Sequence, residues 1–225
     1  MGLLDRFAPR RPEPAPLPEP EPEPPPPPPP PEDPVFPTKA LRKFLATVSE
    51  RESPTLLDLA PVVGSNLNFL GDHLGCRIIV DDIYGEIEHH IKTQTLDALP
   101  ALLASRFPHP DASIDGILCW DLMDYLDRAA SQALADQLAR LLRPEGVLLA
   151  FFGTAPLRQP HYTRYVIVDD LNLRYRSYPA SQTKQASLAN RDIIRLFSGL
   201  RVSDSYLLQN NLREILFKRP SYETR

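Results

Sequence analysis

The stretch SIDGILCWDLMDYLDRAASQALADQLARLLRPEGVLLAFF, residues 113–152, contains two apolar segments separated by a segment with helical periodicity. We predict a strand at Ile114–Trp120 and a second strand at Val147–Phe152. Asp127 is placed to cap a helix that continues through Leu142, and Arg143–Gly146 stops it. An apolar strand, a helix and another apolar strand indicate a parallel sheet with helices on both faces.

The alternation extends toward the amino terminus. The spacing of the apolar residues predicts an amphipathic helix over 38–50, with Thr38 as its N-cap. Ser65 is placed to cap a further helix, and Gly75 to end it. We also predict strands at Thr55–Ala60 and Arg77–Val80.

Between residues 83 and 113 the pattern is weaker. We predict a helix at Leu96–Leu103 and a short strand near His90–Thr93.

The pattern changes to antiparallel pairing after Gly153. We predict a hairpin from Tyr165–Asp169 and Leu173–Tyr178, within an insertion at about 156–188. A helix at Asn190–Phe197 precedes a terminal hairpin of Val202–Leu208 and Leu212–Lys218.

The first 37 residues differ sharply in composition from the rest. They contain seventeen of the 27 prolines, eight of them consecutive at Pro24–Pro31, along with several Glu-Pro pairs. Because proline lacks the N–H that helices and interior strands need, we predict a disordered Pro/Glu-rich arm at 1–37. It is either a spacer or a ligand for a polyproline-binding partner. The folded domain is then 38–220, followed by a tail at 221–225.

The bulk properties exclude some classes of function. A formal charge of −4 and a pI near 5.8 give no indication of nucleic-acid binding, and no stretch has the ~18 apolar residues of a membrane span. Two cysteines inside apolar runs indicate buried thiols and a cytoplasmic protein. The adjacent pair His89–His90 has no third ligand nearby, so we predict no metal site.

With these elements, the chain resembles the class I S-adenosylmethionine (SAM) dependent methyltransferases, type 11-like. The order of the predicted elements is the one found in that family. In addition, the stretch from Phe107–Leu126 through Leu141–Phe151 resembles the family's fourth strand, its helix and the turn into the fifth strand. The resemblance implies a Rossmann-like, doubly wound α/β fold. It would have a mainly parallel seven-strand sheet ending in an inserted antiparallel strand from a C-terminal hairpin.

The segment Leu56–Asn66 resembles the family's first motif, a strand ending in an acid followed by a glycine-rich turn. Asp58 and Gly64 match the motif, while Ala60 and Val62 stand where the family usually has glycine. A β-branched valine disfavours positive φ. Therefore either the turn takes another conformation or cofactor binding is weakened or lost. The helix N-terminus near Ser65 and Asn66 would face the cofactor's carboxylate.

The resemblance implies SAM as cofactor, with S-adenosylhomocysteine (SAH) as product. Asp82, with Asp81 beside it, would hold the ribose hydroxyls, and Asp97 is the candidate for the adenine contact. Trp120 would wall off the adenosyl group or would be a core residue. Since methyl transfer needs little acid–base chemistry, no catalytic residue is assigned; the candidate bases are His109, His161, Asp121 and Tyr125.

Two functions are consistent with these residues. The first is a SAM-dependent methyltransferase acting on an unidentified small-molecule or macromolecular acceptor. The alternative is a catalytically inactive, methyltransferase-like binding or scaffold protein, favoured by the degenerate glycine motif. A dehydrogenase would need Gly-x-Gly-x-x-Gly after the first strand, and residues 60–65 do not supply it.

Overall fold

The structure is a computed structural model that describes residues 33–155, 160–181, 184 and 187–221. Its strands are β1 Val35–Pro37, β2 Thr55–Asp58, β3 Arg77–Val80, β4 Ile114–Trp120, β5 Leu142–Gly153, β6 His161–Ile167, β7 Asn172–Pro179, β8 Arg201–Leu207 and β9 Leu212–Lys218. Its helices are α1 Ala40–Ser49, α2 Gly64–Leu74, α3 Ile83–Thr93, α4 Leu99–Ser105, α5 Arg128–Leu141 and α6 Asn190–Leu196. Short 3₁₀ turns lie at Leu96–Ala98 and Leu122–Tyr125.

The main sheet has the strand order β3-β2-β4-β5-β9-β8. The pairs β2–β3, β2–β4 and β4–β5 are parallel, whereas β5–β9 and β8–β9 are antiparallel. The prediction of a mainly parallel α/β sheet with a terminal hairpin is confirmed, and β9 is the antiparallel strand inserted between β5 and β8. Six strands form this sheet in the described residues, so the expected seventh is not confirmed.

The strand predicted near His90–Thr93 is wrong, because those residues belong to α3. Asp82 caps the start of this helix and Gln94, in the left-handed conformation, ends it. Ile83 and Ile87, four residues apart, are buried on the same side. This helical spacing, and not a strand's alternation, is what buries the apolar side chains.

Both faces of the sheet are covered. One apolar cluster joins the sheet to α3, α4, α5 and α6, and another joins it to α1 and α2. Gly116 in β4 allows α1 to approach closely, since a Cβ there would lie 2.5 Å from Leu56 and 2.8 Å from Phe44. This two-sided packing confirms a doubly wound arrangement.

A second, three-stranded antiparallel sheet has the order β1-β7-β6. It confirms the hairpin predicted in the insertion. It also moves the start of the domain, because Val35–Pro37, assigned to the arm, pair with Asn172–Arg174. Phe36 packs edge-on against Tyr175, which gives this short strand an apolar anchor. The remainder of the predicted arm, residues 1–32, and residues 222–225 of the predicted tail lie outside the described residues.

Over the part of the chain that the structure describes, no helix combines the length and the apolar character needed to cross a membrane.

Candidate functional site

Three parallel strands bring the predicted site residues to one edge of the sheet. Asp58 ends β2, Asp82 follows β3, and Trp120 ends β4. The order β3-β2-β4 makes these strand ends neighbours, with β2 in the middle. Ligands of open α/β sheets bind at this carboxyl edge.

Asp58 is buried and bonded within the protein. Its Oδ1 accepts hydrogen bonds from Trp120 Nε1 at 2.8 Å and from the Ala60 main-chain N–H at 3.2 Å. Burial raises the pKa of this carboxyl to about 6, although the two hydrogen bonds oppose the shift. The charge of Asp82 raises the pKa of Asp58 further.

The turn after Asp58 does not use a glycine's conformational freedom. Neither Val62 nor Gly64 has a positive φ, so the turn adopts the other conformation that the sequence left open. The side chain of Val62 is 59% exposed and does not fill the crevice. Val62, which the sequence marked as the main obstacle to cofactor binding, therefore does not block the crevice.

Ser65 and Asn66 both lie in the first turn of α2. Helix α2 begins at Gly64 with Val63 at the N-cap, so the assignment of Ser65 as cap is wrong. The Asn66 side chain donates to the Tyr165 carbonyl and accepts from the Ile167 N–H, each at 2.8 Å. Its amide thus binds the main chain of β6 through both its nitrogen and its oxygen.

The two acids after β3, Asp81 and Asp82, have different hydrogen-bond partners. Arg106 forms a fork with both oxygens of Asp81, the shortest contact being 2.9 Å, and also bonds Glu86. Asp82 is exposed and uses Oδ1 to accept from the Gly85 N–H at 2.7 Å. Of the two carboxylates, Asp82 is the one available to a ligand.

Trp120 lies in the core. Its ring is 3% exposed and stacks on Tyr165 of β6, with centroids 5.2 Å apart and planes 6° from parallel. The indole N–H is donated to Asp58, and the backbone φ of +50° is unusual for a residue with a side chain. The core interpretation of Trp120 is the one that this packing supports.

A charged cluster that sequence analysis only partly identified lies beyond Trp120. Lys184 Nζ is 2.7 Å from Asp121 Oδ2 and 3.0 Å from Asp124 Oδ2. Asp124 also accepts from the Gly153 N–H at 2.8 Å, which ties the cluster to the end of β5. The two acids, three residues apart after a strand, were visible in the sequence. Lys184, about 60 residues further along the chain, gave no signal.

The crevice at the strand ends is closed by a segment that we call the cover, residues 161–181 with Lys184. Tyr162 of the cover stacks on Tyr84 at 4.2 Å, and the Tyr125 hydroxyl donates to the His161 carbonyl at 3.0 Å. Ser181 donates two hydrogen bonds to Glu88. Underneath remains a cavity of about 20 Å³, bordered by Ala60, Tyr84, Trp120, Asp121, Tyr125, Tyr162 and Thr163 among others. This is room for roughly one water molecule.

Other candidates lie away from the crevice. His109 precedes β4, at the opposite end of the strand, and its carbonyl accepts from Arg140. Asp97 is exposed in the 3₁₀ turn before α4. A larger cavity of about 510 Å³ near α5 and α6, lined by residues such as Leu126, Arg128 and Leu196, contains no predicted site residue.

The fold and the site define an α/β protein with a closed crevice at the carboxyl edge of its sheet. No family model and no curated protein matches the sequence. Among solved structures, the chain is similar to 1,6-didemethyltoxoflavin-N1-methyltransferase of Burkholderia thailandensis, with 12% identity and a TM-score of 0.47 over 81% of this chain and 79% of that one.

The chain is also similar to the glycopeptide N-methyltransferase MtfA, at 14% identity, a TM-score of 0.47 and coverage of 80% and 93%. It is similar as well to the N-methyltransferase NodS of Bradyrhizobium japonicum WM9, with 14% identity and a TM-score of 0.47 over 80% of this chain and 86% of that one. Because all three identities are 14% or lower and all three TM-scores are below 0.5, the function of the site is argued from its own geometry.

Proposed function

We propose that this protein is a SAM-dependent methyltransferase that transfers a methyl group to an unidentified small-molecule or macromolecular acceptor. The observation that carries the proposal is the meeting of Asp58, Asp82 and the α2 N-terminus at one edge of the sheet, beside a turn whose valine points to solvent. These are the positions at which the motif resemblance expects cofactor contacts.

In the closed form the crevice does not accommodate SAM. Pockets for ligands of this class have volumes of roughly 300–1,000 Å³, against about 20 Å³ here. The proposal therefore requires the outer part of the cover to move. That part consists of Tyr162, Thr163, Ser181 and Lys184, none of which is fully buried.

The energies decide which part of the cover can move. Releasing the outer part breaks about three hydrogen bonds and one aromatic stack, together roughly 4 kcal/mol. It also breaks the contacts of Lys184 with Asp121 and Asp124, which adds roughly 3–6 kcal/mol. Micromolar binding supplies roughly 8 kcal/mol, which is of the same size as this loss. The inner part, with Tyr165, Ile167 and Leu173 almost fully buried, would cost roughly 5–9 kcal/mol more. It therefore stays in place.

With the outer cover displaced, the chain's own groups have separate roles. Asp82 would accept hydrogen bonds from the ribose hydroxyls through its exposed carboxylate. The main chain of Ala60–Gly64 and the N-terminus of α2 would face the cofactor's carboxylate. SAM brings an already activated methyl group, so the protein's part is to orient the acceptor and exclude water. Asp58 and Trp120, bonded to each other, form the floor.

Binding of SAH, measured by calorimetry and by thermal shift, tests the proposal. Tyr162→Ala removes a wall of the cavity and should raise the affinity for SAH about tenfold. Tyr178→Ala is the matched control, because it removes a ring that stacks on Tyr162 but does not border the cavity, and it should not produce this gain. Asp82→Ala in the Tyr162→Ala background should remove most of the gain. If neither the wild type nor the Tyr162→Ala protein binds SAH at millimolar concentration, the proposal is wrong.

The closed crevice itself favours a second candidate, the catalytically inactive binding or scaffold protein. In that case the cover is a permanent part of the fold and the Trp120–Asp58 bond replaces a cofactor contact. Full-length protein that binds no SAH in any of these variants, while retaining its fold by circular dichroism, is the outcome that this candidate predicts.

A further inference from the structure

Lys184 places an ammonium group in a buried position at the carboxyl edge of the sheet. Its side chain is 11% exposed, and those of Asp121 and Asp124 are 7% and 4% exposed. The ring of Tyr125 provides a third wall, with its centroid 5.4 Å from Nζ. Carboxylates and an aromatic face are the groups that bind ammonium ions.

Lys184 does not neutralise the cluster. Two buried carboxylates share one ammonium, which leaves a formal charge of −1. Burial would by itself lower the pKa of Lys184, but Asp121 and Asp124 outweigh it and raise that pKa. The pKa of Asp124 is raised to about 6 by burial, with Asp121 adding to the shift and Lys184 opposing it. Above that pKa the site therefore carries one negative charge more than Lys184 neutralises.

The cluster also opens onto the small cavity. Asp121 and Tyr125 border that cavity together with Tyr84, Trp120 and Tyr162. An ammonium group held by Asp121 would therefore project its substituent into an aromatic space. Lys184 belongs to the part of the cover that must be displaced for the crevice to open, so opening would vacate the ammonium position.

We infer that Asp121, Asp124 and Tyr125 form a binding site for a small primary amine, which Lys184 fills from within the chain in the closed form. The three N–H directions of a primary ammonium match two carboxylates and leave one free, whereas a quaternary ammonium has no N–H to donate. The identification of this amine as the methyl acceptor rests on the proposed function; the ammonium site does not.

The test uses the full chain with Lys184→Ala. This substitution removes three methylenes and the ammonium, a space that n-propylammonium fits. At constant ionic strength, n-propylammonium chloride should raise the melting temperature of the variant in a saturable manner, by about 3–6 °C at ten times Kd. Sodium chloride, n-propanol and tetramethylammonium chloride should not. The wild type, whose site is filled, should respond at least tenfold more weakly.

Lys184→Ala/Asp121→Asn/Asp124→Asn is the control, since it has the same cavity without the carboxylates. An equal response of this triple variant and of Lys184→Ala to n-propylammonium would overturn the inference. If Lys184→Ala does not fold, Lys184→Ala/Asp124→Asn replaces it, because its cluster has the wild-type formal charge of −1. No experiment here contains SAM or SAH, so this result and that of the SAH titration are independent of each other.

Discussion

Asp58→Asn should stabilise the protein above pH 6 and have no such effect near pH 4. The side chain of Asp58 is almost fully buried, and burial raises its pKa from 3.8 to about 6. Because the folded-state pKa is above the unfolded one, the contribution of Asp58 to stability is fully present below pH 3.8. It is lost as the pH rises through about 6. At pH 7 the folded protein carries a buried charge that asparagine avoids.

A shift from 3.8 to about 6 corresponds to about 3 kcal/mol. For a chain of this size that is about 6–12 °C in melting temperature. The asparagine Oδ1 still accepts from Trp120 Nε1 and Ala60 N–H, so the two hydrogen bonds remain. The new amide N–H₂ changes the unfolding free energy by an amount that is the same at every pH.

Urea denaturation of the wild type and of Asp58→Asn between pH 4 and pH 8 measures the effect. The difference in unfolding free energy should rise between pH 4 and pH 7 by about 2.4 kcal/mol, most of the full shift, and then level off. Asp72→Asn, on the exposed side of α2, is the matched control and should show a flat difference within about 0.5 kcal/mol. A difference for Asp58→Asn that does not change with pH would refute the reasoning.

Three further substitutions test the packing around the crevice. Asn66→Ala should lower the unfolding free energy by about 2–4 kcal/mol in urea, because two main-chain groups of β6 lose their buried partners; a loss below about 1 kcal/mol would contradict this. Trp120→Phe leaves Asp58 without its indole donor and should lower the unfolding free energy in urea by about 1–3 kcal/mol. An unchanged unfolding free energy would contradict this. Val62→Ala, at an exposed position, should change the melting temperature by less than about 2 °C, and a larger change would mean that the valine packs somewhere.

The sequence by itself determined most of the secondary structure. The strands Arg77–Val80 and Ile114–Trp120 and the terminal hairpin appear where local patterns place them. These elements are specified by neighbouring residues: apolar runs, a cap such as Asp127, and a left-handed Gly75. Periodicity failed at His90–Thr93, where a few polar residues concealed the third turn of a helix.

Only the tertiary structure decided what the site residues do. Asn66 lies 99 positions before Tyr165, Asp58 lies 62 before Trp120, and Asp124 lies 60 before Lys184, yet each pair is hydrogen-bonded. No local pattern encodes such pairings, because they depend on how β2 and β4 pair in the main sheet and on where the β6–β7 hairpin and Lys184 pack against it. The sequence placed acids and an open turn at the strand ends, while long-range packing closed the crevice above them.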